Sequence, residues 1–126
     1  MIVDASAIVA IIKGEPDAEA LLQTMRDAET LRMPTPTALE LTIVLRPGRV
    51  DRAMDFLRQL GVRLVDFTGE HLVVAQHAHL TYGRGSGSPA RLNYGDCMVY
   101  AVAKVTDEPL LFKGDDFLHT DVTPAR

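Results

Sequence analysis

An α/β fold, a mostly parallel sheet covered by helices on both faces, is what this chain predicts, and three observations carry the prediction. Short β-prone runs alternate with helical patterns in the order strand, helices, strand, helices, strand, helix, strand. The first strand also runs straight into its helix across an acidic residue, Asp4, the kind of junction found at the carboxyl edge of a parallel sheet. Finally, the one composition shift, "GRGSGSPARLNYG", is a loop with too little chain after it for a second domain, so residues 1–126 read as a single domain.

The elements follow in order. Ile2 and Val3 favour a strand, Asp4 and Ser6 favour the start of the helix "ASAIVAIIK", and Gly14 with Pro16 stops it. "DAEALLQTMRDAE" sets Ala18, Leu21, Leu22 and Met25 at helical spacing, with acids on the other side. "LRMP" is a strand. "TPTALELTIVL" begins a helix near Pro36 and Thr37 and runs apolar to Leu45, where "RPG" breaks it. The helix "VDRAMDFLRQLG", the strand "VRLVDF" and a helix capped at Thr68, "TGEHLVVAQHAHLTYG", come next. After the loop, "DCMVYAVAK" is a helix, "PLLF" a strand, and "TDV" a last short strand before a frayed end.

Composition narrows the function. The net charge of −4, from 17 acidic and 13 basic residues, is not the footprint of a general nucleic-acid binder. Basic residues are nevertheless concentrated: five Arg lie between Arg46 and Arg63 against Asp51 and Asp55, and Arg84 and Arg91 share a stretch from His71 to Gly95 that has no acid. Either these are solvated helix faces and a loop, or they form a basic rim around an acidic centre. Cys97 is the single cysteine, which excludes an internal disulfide and suits a reducing compartment. No basic segment precedes the N-terminal apolar run, and Asp4 and Lys13 confine it to less than a membrane span. A soluble cytoplasmic protein without membrane attachment is expected.

Four acids stand out of place. Asp4 lies in an apolar run, Glu40 in the apolar helix "ALELTIVL", Asp96 opens the most apolar helix, and Asp115, beside Asp116, follows the strand "LLF". Singly, each has a plain explanation as a cap, a dipole partner, an ion-pair member or a turn residue. Together they do not, because three fall at strand ends or helix starts, the same edge of a parallel sheet. Carboxylates gathered there repel one another, and a cation relieves them. Oxygen donors without a His or Cys cluster suit Mg²⁺ or Mn²⁺ rather than zinc, and such ions promote phosphodiester hydrolysis.

The stretches "MIVDASAIVAI", "TALELTIVL", "YGRGSGSPARLNYGDCMVYAVAK" and "PLLFKGDDFLHTDV" together resemble the PIN-domain ribonuclease toxins of the VapC type from end to end. The resemblance implies a three-layer α/β/α sandwich, magnesium-dependent cleavage of RNA, a homodimer, and a cognate VapB-type antitoxin. By position, Asp4 and Asp96 match the metal-binding acids, Glu40 the second acid, Asp115 the fourth, and Ser6 the hydroxyl residue that supports the first Asp. The usual "GDCF" is "GDCM" here, with Met98 replacing an aromatic, and the chain between Leu45 and Arg49 is short.

An extended "LLFKGDDF" would turn Asp115 and Asp116 to opposite faces, so only one should reach the metal, and the order Lys113, Gly114, Asp115 after the strand matches that of the resembling family, which implies Asp115 as the fourth acid. Cys97 reads as core and not as a nucleophile; His71, His77 and His79 form no metal motif; His119 is a candidate substrate contact. Two other acidic-pocket proteins fit less well. A haloacid dehalogenase-type phosphatase needs a second Asp where Ser6 stands, and a phospho-acceptor receiver would have to use Asp66. If the acids do not converge, an interaction protein without catalysis remains.

Overall fold

The computed structural model describes all 126 residues. Four short parallel strands, β1 (Ile2–Val3), β2 (Arg32–Pro34), β3 (Arg63–Val65) and β4 (Leu110–Leu111), lie in the order β3-β2-β1-β4. Ile2 stands opposite both Arg32 and Leu110, and Met33 opposite Leu64. β1 is therefore central, and its two residues are wholly buried.

Alternation along the strands divides the core in two. Val3, Met33 and Leu111 face the helices α1 (Ala5–Lys13), α2 (Ala18–Asp27), α3 (Thr35–Val44) and α4 (Pro47–Gln59), meeting Ile8, Leu21, Met25, Leu41 and Leu57. Ile2 and Leu110 face the other way, onto Ala75 and Ala78 of α5 (Gly69–Tyr82) and Val99, Tyr100 and Val102 of α6 (Tyr94–Thr106). Helices on both faces of a parallel sheet make the three-layer α/β/α sandwich expected from the sequence. At about 1.5–3 kcal/mol for each fully buried aliphatic side chain, these two layers dominate the stability.

Several boundaries differ from expectation for local reasons. α3 ends at Val44, before "RPG" as expected, but α4 starts at Pro47, three residues before "VDRAMDFLRQLG", with the proline in its first turn, where a missing N–H costs nothing. α6 begins at Tyr94, two residues before Asp96, because Asn93 caps it. The "TDV" segment bends, and the edge pairing falls later: the Leu110 N–H donates to the Thr123 carbonyl and the Ala125 N–H to the Leu110 carbonyl, both at 2.9 Å. Pro124 sits in that bridge, at the outer edge where a donor is not needed. Asp121 anchors the preceding turn by accepting from the Tyr100 hydroxyl at 2.6 Å. No helix is long and apolar enough to cross a membrane.

Candidate active site

The site lies at the carboxyl ends of β1 and β4. Asp4 leaves β1 in an extended conformation and caps α1: its Oδ2 accepts from the Ser6 N–H at 3.1 Å and the Ser6 hydroxyl at 2.5 Å. Capping and site membership are thus compatible roles of one carboxylate. Ser6 Oγ in turn accepts from the Lys113 backbone N–H at 3.0 Å. This chain of bonds fastens the end of β1 to the segment after β4, and the Lys113 ammonium adds a tie by pairing with Glu15 and Asp17. Asp4 is 5% exposed, and burial pushes its carboxyl above the ordinary range despite the bonds from Ser6.

Glu40 projects from α3, half-buried, with Oε1 shut off from solvent and without a hydrogen-bond partner. Burial, then the charges of Asp4 and Asp96, push its carboxyl up to about 7. Asp96 occupies the first turn of α6 in a reciprocal cap: its N–H donates to Asn93 Oδ1 at 2.8 Å, and its Oδ2 accepts from the Asn93 N–H at 3.0 Å. Burial is the main cause raising Asp96 to about 6; the Asn93 bond opposes it, Asp4 and Asp116 add to it, and Arg84 lowers it.

The structure therefore brings Asp4, Glu40 and Asp96 into mutual electrostatic reach, with Asp116 acting on Asp96. Asp115 stands differently. The chain leaves the strand after Leu111, turns at Gly114 with φ +99°, and enters a 3₁₀ turn over Asp116–His119. Asp115 is exposed at the head of that turn, and its carbonyl accepts from the Leu118 N–H at 3.0 Å. The extended geometry expected for "LLFKGDDF" is not present, so strict alternation does not separate the two acids.

Sequence reasoning missed Asn93, the Lys113 N–H and the space at Gly95. Asn93 was legible as a cap, since an acid follows three residues later. Arg84 is the basic residue whose charge reaches Asp96, a fragment of the rim. The Lys113 N–H and the space at Gly95 had no signal, because neither depends on side-chain type in a pattern. His71 is buried and structural: its Nδ1 accepts from the Thr68 N–H at 3.0 Å. Cys97 is buried too, and burial with the Asp96 charge pushes its thiol up, away from the nucleophilic thiolate. Asp66 is exposed beyond the edge strand β3, no place for a buried phospho-acceptor.

The donor set fits a hard divalent cation. All four carboxylates are oxygen donors, one has an orphaned buried oxygen, and an ideal Cβ on Gly95 would lie 2.5 Å from Glu40 Oε1, so the missing side chain leaves a cradle that the carboxylate fills. No three of them close into a ready-made ligand set. Ser6→Ala would remove the hydroxyl bond to Asp4 Oδ2 and the bond from the Lys113 N–H to Ser6 Oγ, while the Ser6 backbone N–H still donates to Asp4. A 10- to 100-fold loss of Mn²⁺ affinity is expected, roughly the effect of losing a group that orients a ligand. Titration with Mn²⁺ checks this, and unchanged affinity would separate Ser6 from the site.

This fold and this acidic edge define a PIN domain: the PIN domain family matches residues 1–122, and the chain belongs to that family. Within it the chain is of the VapC type. It is 46% identical over 130 residues to ribonuclease VapC42 of Mycobacterium tuberculosis, covering 99% of this chain and 98% of that protein. It is 43% identical to ribonuclease VapC28 of the same species over 129 residues, covering 99% and 97%. The fold is shared with VapBC2 from Rickettsia felis, solved bound to a DNA fragment from its promoter, at a TM-score of 0.70 and 12% identity over 98% of this chain and 94% of that one.

Proposed function

We infer that the chain is a ribonuclease toxin of a toxin–antitoxin pair, and propose that it cleaves RNA phosphodiesters with a divalent cation held at the acidic edge. The observation that supports this most is the convergence of Asp4, Glu40 and Asp96 from β1, α3 and α6 on one edge. The proposed ligands are Asp4 and Asp96, with Glu40 and one of the Asp115/Asp116 pair completing the acidic set. Mg²⁺, or Mn²⁺ in its place, would supply charge stabilisation at the phosphate and activation of water. Glu40, raised toward neutrality, is suited to accept or hold a proton beside the reacting phosphate. Ser6 and Asn93 fix Asp4 and Asp96, and Arg84 offers a cation to the RNA backbone. Incubating the purified protein with total RNA, with and without Mg²⁺, and mapping new 5′ ends tests the reading. New ends should require Mg²⁺; their absence in both arms would refute it.

A VapB-type antitoxin is the proposed partner. The relatives' VapC type and the fold shared with a toxin–antitoxin complex from Klebsiella pneumoniae support it. An antitoxin Arg would suit the acidic edge as a bidentate partner of carboxylates. A homodimer is proposed as well, supported by the apolar groove between α5 and α6, where Leu72, Leu80 and Tyr94 are exposed.

The acids also predict a pH dependence. In the metal-free protein Glu40 and Asp96 keep protons at pH values where the unfolded chain has lost them, since their carboxyls rise from 4.5 to about 7 and from 3.8 to about 6. Stability should therefore fall as pH rises through roughly 4 to 7. With Mg²⁺ bound the ionised forms are favoured, so the gain in Tm on adding Mg²⁺ should be larger at pH 8 than at pH 5.5. Melting curves in EDTA and in Mg²⁺ across this range check both statements; a metal-free Tm that rises with pH would contradict them.

A further inference from the structure

We propose that Gly95 is a positioning residue of the site, present because any side chain there would drive the Glu40 carboxylate off the acidic edge. An ideal Cβ on Gly95 would lie 2.5 Å from Glu40 Oε1, 2.6 Å from Cδ and 2.7 Å from Oε2. Atoms do not approach so closely, so one of the two must move. All three atoms belong to the free end of a long side chain, and the nearest neighbours include no backbone. Glu40 would move, by rotation about its own side-chain bonds, and the helix would not.

The backbone gives no other reason for glycine. Gly95 lies inside the first turn of α6, between Tyr94 and Asp96, and is not among the glycines with positive φ. Alanine is the better helix former at such a place. Glycine is therefore the poorer choice for the helix and the needed choice for the carboxylate. What it secures is also specific: the carboxylate rests against the turn that carries Asp96, and Asp4 and Asp96 are the two charges that act on Glu40. Glycine at 95 lets α3 and α6 approach closely enough for acids from both helices to face one space.

The functional half of this inference rests on the acids forming a cation site, and the test separates the two. Mn²⁺ affinity is measured by calorimetric titration for the wild-type chain, Gly95→Ala, Glu40→Ala and the double variant, with melting of each metal-free form. Gly95→Ala is expected to weaken Mn²⁺ binding about tenfold or more, the scale of a displaced ligand-orienting group. In the Glu40→Ala background it should cause no further loss, and the metal-free Tm of Gly95→Ala should equal or exceed wild type. A merely structural glycine would lower Tm and weaken binding in both backgrounds. Wild-type affinity in Gly95→Ala, an equal loss in both backgrounds, or failure of the variant to fold would each overturn the proposal. If the wild-type chain takes up no Mn²⁺, the cation reading fails, and crystal structures of wild type and Gly95→Ala decide the positioning claim. A Glu40 carboxylate swung away from α6 supports it; one left in place overturns it.

Discussion

Asp96→Asn is expected to lower RNA cleavage by about a hundredfold or more without loss of the fold, because removing a ligand should cost at least as much as removing a group that orients one. The substitution is nearly isosteric, and the amide oxygen can still accept from the Asn93 N–H, now at 3.0 Å from Oδ2, so the reciprocal cap of α6 persists. It does remove one of the two charges that press on Glu40. The metal-free variant should therefore melt no lower than wild type at pH 8, where the repulsion is greatest. Cleavage and stability are expected to part company. A variant that cleaves at the wild-type rate would remove Asp96 from the site, and one that loses cleavage only because it unfolds would make its role structural.

Asp116→Asn is expected to lower cleavage about tenfold or more, and Asp115→Asn to have the smaller effect. The sequence favours Asp115 through the order of residues after the strand in the resembling family, with an extended chain turning Asp116 away, but β4 ends at Leu111 and the chain turns at Gly114 with φ +99°. In the turn that follows, Asp116 is the acid whose charge acts on Asp96. Asp115 instead begins the 3₁₀ turn, and its carbonyl, which substitution leaves intact, receives the Leu118 N–H. Both side chains are exposed, so neither change should shift Tm greatly. Cleavage rates of the two purified variants decide the matter; a larger loss with Asp115→Asn would return the fourth role to that residue.

These two cases show where sequence is and is not legible. Asp4, Glu40 and Asp96 stood out because a lone carboxylate in an apolar run has few structural uses, and in the fold the charges of Asp4 and Asp96 act on Glu40. The parallel sheet was legible from the alternation of elements, although "VRLVDF" yields a strand of only three residues, Arg63–Val65. Turn geometry was less so. "KGDD" is compatible with an extended exit or a turn, and the choice depends on tertiary contacts such as the Lys113 N–H bonding Ser6 across the sheet end. The start of α6 was misplaced for a different reason: Asp96 attracts notice as an acid, while the cap is the neutral Asn93 three residues earlier. Gly95 carries no pattern at all, since what matters there is the empty volume that Glu40 fills.

Acids from β1, α3 and α6 are proposed to hold a divalent cation at the sheet edge. Anomalous diffraction from crystals of this chain soaked in Mn²⁺ tests it most directly. A peak is expected between Asp4 and Asp96, at ligand distances of about 2.1 Å, that vanishes in Asp96→Asn crystals. A peak elsewhere, or none at Mn²⁺ concentrations that support cleavage, would contradict it.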